Sequence, residues 1–207
     1  MVKTRAVLLL AALAALAGCQ RNPLQVTRSS CPAVAIPYNV GQVTRFDPPA
    51  SRDASAIDVT AQLTELRGNC ADVSGQDLTT DVRFKVVAQR RNATAARDVY
   101  LPVFVSLVQG GNVIVSKQLT GVQLRFAAGQ RRAEAEGGAQ TFVARSATVL
   151  PAEIAAKITR ERKADDPDAL VDPLADPATR AAVRARSFEV LVGFQLDDQA
   201  LGYNVAK

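Results

Sequence analysis

Apolar residues recur at every second position through most of this chain, and that constrains its fold more than any other feature. Ile57, Val59, Ala61 and Leu63 alternate with Asp58, Thr60, Gln62 and Thr64. Val82, Phe84, Val86 and Ala88 alternate with polar neighbours, as do Val99, Leu101, Val103, Val105 and Leu107. Phe188, Val190, Val192, Phe194 and Leu196 close the series. A period of two places one set of side chains on a core and the other in water, the pattern of a half-buried strand. Gln109-Gly110-Gly111-Asn112 supplies the positive-φ residues of a tight hairpin, from which Val113 to Leu119 returns. Val122, Leu124 and Phe126 alternate again, and Thr141 to Leu150 reads as a further strand. Cys31-Pro32-Ala-Val-Ala-Ile-Pro37 reads as an edge strand or an extended segment because its prolines cannot donate to a ladder. Gly68-Asn69 reads as the end of the strand before it, 41–56 as loop, and 128–138 as a polar turn region.

About seven such strands predict an all-β fold, an antiparallel β-sandwich of the immunoglobulin-like type, with a small barrel as the alternative. The pattern breaks at Pro151, which suits the first position of a helix followed by good helix formers. Asp172-Pro173 and Asp176-Pro177 mark a Pro/Asp-rich stretch, and Asp176 suits the cap of a second short helix. A helical insertion over about 151–185 therefore precedes the last strand. Asp197 and Asp198 read as an N-cap pair for a closing helical turn.

The N-terminus carries a different message. Lys3 and Arg5 precede an apolar run from Ala6 to Leu16, and Leu16-Ala17-Gly18-Cys19 follows. The run is too short for a spanning helix and has the order of a secretory signal. The segment resembles the lipobox of bacterial lipoproteins. That resemblance implies a signal peptide over 1–18, diacylglyceryl transfer to the Cys19 sulfur, and palmitate-type acyl chains on the mature N-terminus. Residues 19–30 then form a lipidated tether, and 31–207 form the sandwich domain. Gln20 stands where an aspartate would favour the inner membrane, so the implied location is the outer membrane, facing the periplasm. Val192-Gly193-Phe194-Gln195-Leu196 followed by Gln199-Ala200-Leu201-Gly202-Tyr203-Asn204 resembles the C-terminus of proteobacterial envelope lipoproteins, which share the lipobox and an early cysteine-proline. This second resemblance implies a location and a β-rich domain, with no activity attached.

With Cys19 assigned to the lipid, Cys31 and Cys70 remain as an even pair in an oxidising compartment, which predicts a disulfide between them. The chain contains no histidine, which excludes Ser-His-Asp and Cys-His catalysis and removes the commonest zinc ligand. Without Lys3 and Arg5 the net charge falls from +5 to +3, too mild to argue for nucleic acid. Asp165, Asp166, Asp168, Asp172 and Asp176 lack the spacing of a calcium loop and read as solvated linker. The doublets Arg90-Arg91 and Arg131-Arg132 read as solubilising loop charge.

These features predict no cofactor, no metal and no catalytic residue. The expected role is non-catalytic: a lipid-anchored envelope protein that binds a protein partner or supports assembly, attached to the membrane through its N-terminus. The alternatives are an enzyme acting on cell-envelope material and a carrier of an apolar ligand.

Overall fold

The computed structural model describes residues 28–72, 74–163 and 165–206. Two compact units emerge, one of Ser29–Leu150 with Ala181–Lys207, the other including Pro151–Arg180.

The first unit is an all-β sandwich of two four-stranded sheets, immunoglobulin-like in its two facing layers joined by crossover connections. Its strands are β1 (Ala33–Ala35), β2 (Gln42–Phe46), β3 (Ile57–Asp72) and β4 (Asp77–Arg90). They continue as β5 (Arg97–Gln109), β6 (Val113–Phe126), β7 (Arg132–Ala144) and β8 (Phe188–Phe194). One sheet has the order β1-β8-β5-β6 and the other β2-β3-β4-β7. All neighbours are antiparallel except β1 and β8, which run parallel. The core lies between the sheets and takes the inward positions foreseen by the alternation. Val59, Leu63, Val82, Phe84, Val86, Phe188, Val190, Val192 and Phe194 are buried, with Ile57 at the margin. Gly110 and Gly111 have φ of 63° and 80°, so the hairpin between β5 and β6 turns where glycine permits it.

Four local expectations need correction. β3 does not end at Gly68-Asn69 but runs on to Asp72. Its irregularity lies earlier, between Thr64 and Arg67, where Glu65 adopts φ 51° and the register shifts. Gly68 serves a close approach instead of a turn: a Cβ there would lie 2.3 Å from Cγ2 of Val34 in β1. The stretch 41–56 contains β2, whose five residues show too little alternation to stand out. The stretch 128–138 is not all turn, since β7 begins at Arg132 and pairs with β4 from Gln89 back to Asp77. Its glycines are spatial requirements, because a Cβ on Gly137 would lie 2.6 Å from the Phe84 ring. The strand expected over Thr141 to Leu150 stops at Ala144 and gives way to a helical turn, α1 (Arg145–Thr148).

The second unit holds α2 (Ala152–Thr159) and the start of α3 (Pro177–Ala185), in line with the helical insertion. Ile158, Arg162, Ala169 and Thr179 are buried in it. Several ion pairs link its described residues. Lys157 pairs with Asp176 at 2.7 Å, and Arg160 pairs with Asp166 and Asp168. After β8, Asp197 caps α4 (Asp198–Val205) by accepting the Ala200 N–H at 2.7 Å, as the sequence predicts.

Candidate functional site

Cys19, the expected lipidation site, lies outside the described residues, as do the signal segment and most of the tether. Cys31 and Cys70 form the expected disulfide, with Cα atoms 6.0 Å apart. It joins the segment before β1 to the far end of β3, and so ties one sheet to the other.

The first basic doublet, Arg90-Arg91, turns out to be structural, while Arg131 and Arg132 are exposed. Arg90 is 4 % exposed at an inward position of β4. Its guanidinium donates to the carbonyls of Gln130, Ala95 and Ala127 at 2.7–2.9 Å and sits 5.0 Å from the Phe126 ring centroid. Arg91 donates to the carbonyls of Ser55 and Ala54. Arg132 pairs with Glu134 at 2.8 Å along β7. In the acidic group of the insertion, Asp166, Asp168, Asp172 and Asp176 all accept hydrogen bonds. A hydrogen bond from Lys157, then one from Thr179, holds the Asp176 carboxyl well below the usual carboxylate range. A hydrogen bond from Arg160 lowers the Asp168 pKa as well. Among the described residues, no group of three or more Cys, Asp or Glu is arranged to hold a metal ion.

Three surfaces remain as candidates. The outer face of β3, β4 and β7 carries a polar depression of about 870 Å³. Arg67 faces Arg83 directly across the β3–β4 pair, with Gly138 beside Arg83 in β7. Most of the charge here is internally matched. Lys85 bonds Glu65 at 2.9 Å, which lowers the Glu65 pKa and raises that of Lys85, and Arg83 pairs with Asp81 at 3.1 Å.

The second surface is the hairpin end of β6. This strand is the last of its sheet, so no strand pairs with its outer edge. Val113, Ile114, Val115 and Leu119 are 51–67 % exposed, although they are apolar and lie within seven consecutive residues. Val115 is the extra residue of a bulge opposite Leu107 and Val108.

The third is a cleft of about 300 Å³ at one mouth of the sandwich. It exists because β8 stops early. β8 pairs with β5 only over Val103–Gln109, so β5 from Arg97 to Leu101 has a strand on one side alone. Across the gap stands β2, the terminal strand of the other sheet. Arg45 of β2 reaches over and donates to the Tyr100 carbonyl at 2.7 Å.

The chain matches no family model, no curated protein and no solved structure. Its own geometry therefore carries the functional reading. The doublets and acidic residues singled out by sequence fall away, and two features that sequence reading missed replace them. The β6 edge was visible as an apolar run, but only the sheet order reveals it as unpaired. Arg45 and Arg52 sat in a segment read as loop, and no sequence signal marked them.

Proposed function

We propose that this chain is a lipid-anchored envelope protein that works by binding, with the outer edge of β6 as its contact for a protein partner. The exposed, unpaired stretch Val113–Leu119 carries this reading. A terminal strand presents a row of free N–H and C=O groups, and natural sheets usually shield such an edge with charge or proline. Here one cation, Lys117, stands among the apolar residues, and it leans over the Phe104 ring at 5.1 Å. An extended segment from a partner would complete the ladder and cover the valine, isoleucine and leucine side chains in one step. The lipobox-like Leu16–Cys19 supports the anchor and sets the membrane surface as the place where the partner is met. A tether of about eleven extended residues reaches at most roughly 35–40 Å.

The test uses intact bacteria that carry a photo-crosslinking residue at Val113 or Leu119, with Gln123 of the same strand as control. Discrete adducts with one envelope protein from the first two positions, and none from the third, are expected. Those adducts should disappear when the tether is lengthened severalfold or when Cys19→Ser leaves the precursor uncut and without fatty acid. Uniform labelling from all three positions refutes the edge. Normal acylation and maturation of the Cys19→Ser chain refutes the anchor.

A further inference from the structure

The cleft between β2 and the free end of β5 is built of two chemistries. Its floor is apolar, made by Val43, Phe46, Leu101 and Phe194, all buried side chains of the sandwich core. Its rim holds two guanidinium groups. Arg52 lies 5.1 Å from the Phe46 ring centroid, where its Nη1 donates to the Pro49 and Ser51 carbonyls and its Nη2 to Gln199 Oε1 at 2.7 Å; these acceptors are neutral and hold the guanidinium at the rim with its charge unmatched. Arg45 spends one donor on the Tyr100 carbonyl. Neither arginine makes an ion pair among the described residues. The acid whose charge is felt at Arg45 is Asp58, and both its oxygens are engaged by Arg97 at 3.0 and 2.7 Å. Asp197 also lines the cleft, but it accepts the Ala200 N–H as the cap of α4.

Partial burial, then the neighbouring positive charge of Arg97, holds the Arg45 guanidinium below its ordinary pKa. A cation in that setting gains from any anion placed beside it. Arginine forks match the planar or tetrahedral oxygens of a carboxylate or phosphate. The volume suits a single short chain and is at the small end of ligand sites. The geometry points to a binding site for a single-chain anionic amphiphile. Its apolar chain lies on the Val43–Phe194 floor and its terminal oxyanion sits between Arg45 and Arg52. The site is separate from the β6 edge and does not rest on the docking role of that strand.

The test is titration calorimetry on the mature-length chain carrying Cys19→Ser, so that no acyl chain of its own competes. The probes are decanoate, decyl phosphate, decanol and acetate, kept below their micellar concentrations. Decanoate and decyl phosphate should bind about tenfold or more tighter than decanol, the share of a charge-assisted hydrogen bond, and acetate should not bind measurably. A preference for the carboxylate identifies a free fatty acid as the natural source, and a preference for the phosphate a lysophospholipid. Arg45→Gln and Arg52→Gln should each weaken both anions and leave decanol unchanged. Ala200→Phe, on the cleft-facing side of α4, should abolish binding of all three chain-bearing probes while thermal unfolding stays that of the parent. Equal affinity for decanoate and decanol overturns the proposal. So does anion binding that survives both arginine substitutions, or that survives Ala200→Phe.

Discussion

Arg90 shows how a single residue can be misjudged from its neighbour and rescued by its parity. Beside Arg91 it looks like a loop charge, yet Val86, Ala88 and Arg90 are successive inward positions of β4. Inside, its fork holds carbonyls from two separate loops, at Ala95 on one side and Ala127 and Gln130 on the other. Arg90→Met keeps most of the volume but strips the charged donors that join the two loops. The expected cost is about 3 kcal/mol, read as a fall of roughly 10 °C in the thermal midpoint for a chain of this size. Arg90→Lys should recover only part of the loss, because one ammonium cannot span both loops. An unchanged midpoint for Arg90→Met would show that water replaces the guanidinium freely. Glycines divide in the same local way. Gly137→Ala drives a methyl into the Phe84 ring and should destabilise by about 1–3 kcal/mol. Gly202→Ala, inside α4 with open space around its Cβ position, should stabilise by about 0.5–1 kcal/mol. Denaturant midpoints of the two variants should therefore move in opposite directions. Sequence alone gives both as glycine and cannot separate them, since the Phe84 ring is more than fifty positions from Gly137.

β1 is only three residues long and sits at a sheet edge, so its place depends on what ties it down. It has three register pairs with β8 and the Cys31–Cys70 bridge just before it. The bridge closes a loop of 39 residues, for which chain entropy alone gives about 4 kcal/mol of stabilisation. The double variant Cys31→Ser, Cys70→Ser should lose most of that, measured by denaturant unfolding. Amide exchange at Ala33–Ala35 should quicken before it does in β5, and simultaneous loss across both strands would contradict a local role. Legibility at this scale follows how far an element supports itself. β4, β5 and β8 announce themselves, because each buries a full alternating face. The first half of β7, Arg132-Ala-Glu-Ala-Glu-Gly-Gly, has weak strand propensity and is held extended by seven register pairs with β4. β2 is likewise stabilised by its neighbour β3, with which all five of its residues pair across a register shift between Arg45 and Phe46. Pairing partners of this kind are tertiary facts, so their effect was not available to a reading of local pattern. The cleft inherits that blindness, since its rim residue Arg45 belongs to β2.

At the scale of the whole molecule, two units of unlike construction share one chain. The sandwich unit rests on a continuous apolar core from Val43 to Phe194. Among the described residues of 151–180 few apolar side chains are buried, with Ile158 the largest, and the segment is linked by Lys157–Asp176, Arg160–Asp166 and Arg160–Asp168. Exposed ion pairs of this kind are weak singly and are screened by salt. They also give the unit its own pH dependence. Asp176 and Asp168 have folded pKa values held below the ordinary value by Lys157 and Arg160. A depressed carboxylate contributes stability that is complete above its unfolded pKa of about 3.9. That contribution is lost as pH falls through the folded pKa. Acid should therefore loosen this unit first, beginning below about pH 4, while the uncharged core of the sandwich is left in place. Hydrogen exchange followed by mass spectrometry, corrected for intrinsic rates, should show peptides from 152–180 losing protection between roughly pH 4 and pH 2. Peptides from β5 and β8 should hold theirs over the same range. Molar salt at neutral pH should reproduce the pattern in weaker form. Substituting Asp176→Asn should remove much of the acid step, because the group that takes up the proton is then gone. Equal loss of protection in both units would mean that they unfold as one body and that the ion pairs add nothing separable.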